Sequence, residues 1–248
     1  MRRVDPIPCL DCPLQCRPGL RPHTEQELAF IQQYKSGEIA LARGELLVRQ
    51  GEAGRLLFTV LGGMLMRYRL LEDGRRQIVN FMFPGDLVGL QGSFDEQHTH
   101  SVEALLDARL CEFTRADFFG LVTQHPELSY DIVWLAAKEE TALEEHLVAV
   151  GQRSARERLA YLAVWLFDRA NRTGLVEPGN VISLPIRQSQ IADMLGLSLV
   201  HTNRTIKSLA RDGLIEWLPG KICVPDLERA IEFAHYPTPG QRRERPFI

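Results

Sequence analysis

The sequence has no apolar run long enough to cross a bilayer. Stretches such as Ala104–Leu106 and Ile132–Ala137 fall far short of the roughly 20 residues that a spanning helix needs. Met1-Arg2-Arg3 has no apolar core behind it, so a secretory signal is not expected and the sequence predicts a cytoplasmic location. There is no Gly-rich phosphate loop, no nucleophile elbow and no His-Glu-x-x-His pair. With no paired acid and base groups either, enzymatic chemistry is not expected. Positive charge is not in excess: 29 Lys and Arg face 32 Asp and Glu, for a net charge of −3. That excludes a generally basic coat for nucleic acid but not a local basic face. Apolar residues make up 45% of the 248, enough for packed cores and against disorder along most of the chain. Five cysteines in a reducing compartment are more often ligands or redox groups than disulfides.

Three textures follow one another. Up to about Pro22, prolines and Cys9, Cys12 and Cys16 read as loop; Thr24 with Glu27 then offers a capping box for a short helix. From about Ser36 to Thr114, short β-forming runs alternate with turn signals such as Asp73-Gly74 and Pro84-Gly85-Asp86, predicting an antiparallel barrel or sandwich. From Pro126 the period changes. Glu127–Val150 holds no Pro or Gly, and Leu128, Ile132, Leu135, Ala142, Leu143, Leu147 and Val150 recur at helical spacing. That stripe suits a partner helix, with packing on its own barrel as the alternative. Ser154 with Glu157 caps a second amphipathic helix.

Residues 185–224 carry the clearest local signal. A short helix over Arg187–Leu195 is followed by Gly196-Leu197-Ser198, a tight turn and a cap. A second helix from Leu199 to Asp212 is expected to turn Leu199, Ile206 and Leu209 inward. Two helices joined by a Gly-containing turn make a helix-turn-helix, and Leu214–Trp217 with Lys221–Val224 reads as a hairpin wing. His201, Asn203 and Arg204 lie in the first turns, where base edges are met; Arg pairs with guanine and Asn with adenine. Lys207 and Arg211 suit phosphates, Val200 either a thymine methyl or apolar packing, and Ser198 and Gln188 complete the DNA-contacting set.

With barrel, long helix and winged helix in that order, the chain resembles the Crp–Fnr family of bacterial regulators. Phe83-Pro84-Gly85-Asp86-Leu87-Val88-Gly89 looks like its barrel signature, and Arg187–Ser198 like its helix-turn-helix entry. The resemblance implies an α+β fold: a jelly-roll sensor, a dimerisation helix and a winged helix-turn-helix. It also implies a homodimer on palindromic double-stranded DNA, with RNA polymerase as a partner and no membrane. Members that bind cyclic AMP carry a Glu soon after the Gly-Asp motif and an Arg-Ser pair further on; here Leu90 and His100-Ser101 stand there. A buried phosphate needs a fixed cation, so cyclic AMP is not expected. In the recognition helix many members have Glu, Ser and Arg where this chain has Val200, Asn203 and Arg204, so a different half-site is expected.

Cys9, Cys12 and Cys16, with Cys111 on a barrel strand, resemble the layout of the oxygen-sensing branch, which implies a [4Fe–4S] cluster on those four thiols. The Cys12–Cys16 gap is shorter than that branch usually has. A four-cysteine zinc site, or thiols without metal, remain alternatives. Cys223 is expected to pack in the wing. His98 and His100, beside Asp95 and Glu96, are read as an exposed hairpin turn rather than a metal site. The expected divisions are 1–22 (cysteine loop), 23–125 (sensor), 126–151 (dimerisation helix), 152–235 (winged helix) and 236–248 (flexible tail with Arg242, Arg243 and Arg245).

Overall fold

The computed structural model describes residues 1–93, 97–237 and 244–248. They form two compact units, Met1–Glu140 with Glu244–Ile248, and Thr141–Arg243.

The first unit runs β1 (Arg2–Val4), α1 (Glu25–Tyr34), β2 (Lys35–Leu41), β3 (Leu46–Val48), β4 (Leu56–Gly62), β5 (Leu65–Leu70), β6 (Arg76–Met82), β7 (Leu87–Val88), β8 (Ser101–Ala104), β9 (Ala108–Thr114) and α2 (Arg115–Gln124). Its strands make two antiparallel sheets, ordered β1-β2-β9-β4-β7 and β3-β8-β5-β6, the jelly-roll arrangement. Alternation along β4 and β9 explains how they pack. Phe58, Val60, Ala108 and Leu110 join Leu65, Met82 and Val102 in the core between the sheets. Leu57, Leu61, Cys111 and Phe113 belong to a second apolar cluster, which helices, the N-terminal segment and the C-terminal end cover. Both faces of these strands are therefore buried.

That second cluster changes two expectations. The N-terminal segment is not a free loop. Arg2–Val4 pairs with Glu38–Ala40, Cys9–Asp11 forms a 3-10 turn, and Leu14 and Leu20 are buried. Glu38 anchors it: its carboxylate accepts from the Ile7 amide at 2.9 Å and from Lys35, and pairs with Arg109. Nor is the described part of the expected flexible tail free. Phe247 and Ile248 are buried in the same cluster, because the outer face of β4 and β9 needs an apolar cover. Residues 238–243, with Arg242 and Arg243, lie outside the described residues.

Helix α1 is capped as the sequence predicts, with Thr24 and Glu27 in a reciprocal box. Helix α2 is unannounced by any apolar period. Its signal is local: the Thr114 side chain accepts from the Asp117 amide.

Helix α3 (Pro126–Gln152) carries a split face. Leu128, Ile132 and Leu135 are buried within the first unit, so the first half of the stripe expected to meet a partner packs on its own barrel side instead. Leu147, from the same stripe, is 72% exposed. Ahead of it, outside the expected stripe, Tyr130 is 57% and Val133 65% exposed. Sequence spacing defined an apolar stripe, but helix rotation decided which flank of it faced out.

The second unit contains α4 (Ala155–Arg172), β10 (Val176–Glu177), β11 (Val181–Ser183), α5 (Gln188–Leu195), α6 (Leu199–Arg211), β12 (Glu216–Leu218), β13 (Lys221–Cys223) and α7 (Leu227–Phe233). The Ser154–Glu157 box starts α4, whose Leu159, Leu162, Ala163 and Leu166 are buried. No described helix is long and apolar enough to cross a membrane.

Because Leu14 is fully buried, Leu14→Ala is expected to cost about 2–5 kcal/mol. Denaturant unfolding checks this; a cost near zero would mean that the cysteine segment does not pack.

Candidate functional site

Helix α5 ends at Gly196, whose φ of 64° allows the left-handed turn. Ser198 then caps α6, its hydroxyl accepting from the His201 amide at 3.2 Å. Arg158 on α4 fixes the junction by donating to the Leu195 carbonyl at 3.2 Å. Thr202, Thr205, Ile206 and Leu209 of α6 are buried, at the spacing of one helical face. The opposite face presents Val200, His201, Arg204, Lys207 and Arg211, all exposed, with Ser198 exposed at its start. Leu199, expected inward, is 53% exposed, at the first position of α6. Asn203 is half-buried and donates through Nδ2 to Gln188 Oε1 at 2.9 Å, joining the two helices by their amides. The wing follows as the β12–β13 hairpin, in register Leu218 to Lys221, with Trp217 and Ile222 buried beneath it.

This is a rod of exposed cationic and amide side chains on a rigid support, with a hairpin beside it. Its width and donor set suit a major groove. The Crp-like helix-turn-helix domain matches residues 157–229, and the cyclic nucleotide-binding domain matches residues 38–125. The nitrogen fixation regulation protein FixK of Bradyrhizobium diazoefficiens is 31% identical over 227 residues, covering 91% of this chain and 93% of that protein. The chain belongs to the Crp–Fnr family. Like the other members it is a DNA-binding transcription regulator, not an enzyme. The transcriptional activator protein FnrL of Cereibacter sphaeroides is 30% identical, over 91% of each chain. The structure of FixK2 from Bradyrhizobium japonicum aligns with a TM-score of 0.70 at 25% identity, covering 81% of this chain and 98% of that one.

In this Crp–Fnr chain, Cys9, Cys12 and Cys111 come together on the outer side of β9. They lie near enough to influence one another's charge, with Lys35 and Glu38 beside them. Burial pushes all three thiols up, most strongly Cys111, and Lys35 opposes that rise. Cys16 is exposed. Turns closed by Gln15 N–H to the Cys12 carbonyl and Arg17 N–H to the Leu14 carbonyl bury Leu14 between Cys12 and Cys16. Among the described residues no three His, Cys, Asp or Glu side chains are spaced to hold a metal ion. The arrangement thus gathers three of the four expected donors and does not close a four-thiolate cage. Cys223 is half-buried in the wing, its thiol 3.6 Å from the Gly179 carbonyl.

The barrel site differs from expectation at its histidines. His98 and His100 are buried, not an exposed turn, because residues 97–100 alternate like a strand, with Gln97 and Thr99 facing out. The His98 ring lies over Gly54 and Gly92, where an added Cβ would come within 2.9 and 2.4 Å of it. Asp95 and Glu96 lie outside the described residues. Arg67 is close by, but Glu139 of α3 pairs with it at 2.5 Å and also accepts from Asn80 Nδ2 at 2.8 Å. Leu90, where nucleotide-binding members have Glu, is partly buried against the outer apolar cluster.

Arg204→Ala is expected to weaken operator binding by about 1–3 kcal/mol and relax base preference, whereas Lys207→Ala weakens binding to all duplexes alike. Fluorescence anisotropy on operator and scrambled duplexes separates the two. Burial, reinforced by Arg67 and His98, lowers His100 from 6.5 to about 4. Below pH 6.5 the unfolded chain takes up a proton that the folded barrel refuses, so stability falls as pH falls towards about 4. Thermal melts across that window are expected to show the loss, and His100→Gln to flatten it.

Proposed function

We propose that the chain is a homodimeric regulator that reads a palindromic operator and answers to oxygen or redox state through its cysteines. The observation that carries the DNA reading is the exposed face of α6, with Arg204 and His201 free to reach base edges and Lys207 and Arg211 placed for phosphates. Asn203 and Gln188 act as an amide pair at the same face, with Val200 and Ser198 at its leading end. Pairing through α3 is supported by the exposed row that includes Tyr130, Val133, Leu147 and Val148. Such a row repeats at intervals that suit a parallel two-helix seam. Two symmetric copies of α6 would then address two half-sites one helical turn apart. RNA polymerase is the partner through which promoter binding would act.

For the signal, the layout of Cys9, Cys12, Cys16 and Cys111 supports a [4Fe–4S] cluster, which would supply oxygen-labile iron chemistry. The nearness of Cys9, Cys12 and Cys111 is consistent with that, and Lys35 offsets thiolate charge there. A second reading, a regulator with no cluster that answers to a small organic effector or to protein contacts, is favoured by the outward Cys16. Cyclic AMP is not proposed as the effector, since Glu139 already occupies Arg67, and Leu90 and His100 replace the expected polar partners. Protein purified without oxygen decides between the readings. A cluster gives absorbance at about 400 nm with stoichiometric iron, lost in air. Colourless protein with stoichiometric zinc, or with no metal, rules the cluster out.

A further inference from the structure

Residues Glu244–Ile248 make five kinds of contact with the rest of the first unit. The backbone of Arg245 bridges the N-terminal segment: its amide donates to the Gly19 carbonyl and its carbonyl accepts from the Arg21 amide, both at 2.9 Å. The Arg245 guanidinium donates to Asp86 Oδ1 at 2.7 Å, and both side chains are largely buried. Asp86 is itself fixed, its second oxygen accepting from the Phe83 amide at 2.8 Å. His23 places Nε2 2.8 Å from the Phe247 carbonyl; since a carbonyl only accepts, that nitrogen carries the proton. The His23 ring also meets the Phe247 ring edge-on at 4.5 Å. Finally, the Phe247 and Ile248 side chains fill the apolar cluster that contains Cys9, Leu14, Leu20 and Cys111.

The segment that carries Cys9, Cys12 and Cys16 is therefore secured at two ends by different means. Its start is held by Glu38 and by Gln32, whose Oε1 accepts from the Cys9 amide at 2.8 Å. Its end, Gly19 to His23, is held by Glu244–Ile248 together with the Arg21 ion pairs to Glu27 and Asp131 and the His23 amide's bond to Gln15 Oε1. Leu20 lies between these partners, packed against Gly85 of the Pro84-Gly85-Asp86 turn, where an added Cβ would meet it at 3.0 Å. One short peptide thus ties the cysteine segment, the barrel turn and the apolar cluster together.

The geometry points to Glu244–Ile248 as a latch, an intramolecular ligand that keeps the cysteine segment closed over the Cys9 and Cys12 thiols. Seated, it completes the apolar cluster that contains Cys9 and against which the half-buried Cys12 packs. Withdrawn, it removes two apolar side chains from that cluster and leaves the Gly19–His23 end on the Arg21 ion pairs and the Gln15 bond, so that solvent, an oxidant or a metal reaches the thiols more readily. The latch requires no metal, so it stands or falls separately from the cluster reading.

The test is alkylation of the reduced, metal-free full chain and of a variant lacking 244–248, read cysteine by cysteine by mass spectrometry. Removal of the latch is expected to speed modification of Cys9 and Cys12 by about tenfold or more. Cys16, already exposed, and Cys223, in the other unit, are expected to hold their rates. Adding the peptide Glu-Arg-Pro-Phe-Ile in millimolar excess is expected to restore protection, and the double variant Arg245→Ala/Phe247→Ala to behave like the truncation. Unchanged rates at Cys9 and Cys12 would overturn the latch. So would an equal rise at Cys223, or a truncated chain that the peptide fails to protect.

Discussion

Two strands that are apolar on both faces set the terms for the rest of the first unit. Because β4 and β9 cannot leave Leu57, Leu61, Cys111 and Phe113 in water, something must cover them, at roughly 1.5–3 kcal/mol for each large side chain buried. Helices α1 and α2, the start of α3, the cysteine segment and the chain's last residues all converge there. Cys111 is thereby buried beside Cys9 and Cys12, and the cysteines proposed to sense come to lie in a packed region. The buried carboxylate of Glu38 serves the same cover. Left unpaired it would be costly; it pairs with Lys35 and Arg109, and the N-terminal residues are held onto β2 by the Ile7 amide donating to Glu38 and by Lys35 and Arg109 donating to the Ile7 and Asp5 carbonyls.

The winged helix was legible in the sequence because its determinants are local. A positive-φ Gly196, a Ser198 cap and an inward row at one helical spacing are separated by a few residues, and each acts on its neighbours. The same holds for the caps at Thr24 and Ser154. Where the reading missed, the determinant was distant in the chain. Nothing near Phe247 announces that it will meet His23, and nothing near Leu14 announces the sheet that it covers. His98 and His100 were misjudged from their polar neighbours, although the alternation of those neighbours was itself a strand signal. On α3 the period was plain, but which flank turns outward depends on how Leu128, Ile132 and Leu135 seat, and that is a tertiary matter.

Family membership and site chemistry answer different questions here. The fold would accept a nucleotide, a cluster or neither, and it is individual side chains that choose. Glu139, reaching from α3 to Arg67 and Asn80, ties the barrel to the helix with the protein's own carboxylate. That link fixes the Glu139 turn of α3 on the barrel through the chain's own charge.

The amide contact between Gln188 and Asn203 bears on how such a regulator's target changes over generations. Replacing either residue alone leaves the other's hydrogen-bonding group without this partner, on the face of α6 proposed to meet DNA. Single-step drift at these positions is therefore penalised in both directions, and a new operator preference would be reached by paired replacement. Arg204, which makes no such tie to α5 among the described residues, is the position from which divergence of half-sites could begin one residue at a time.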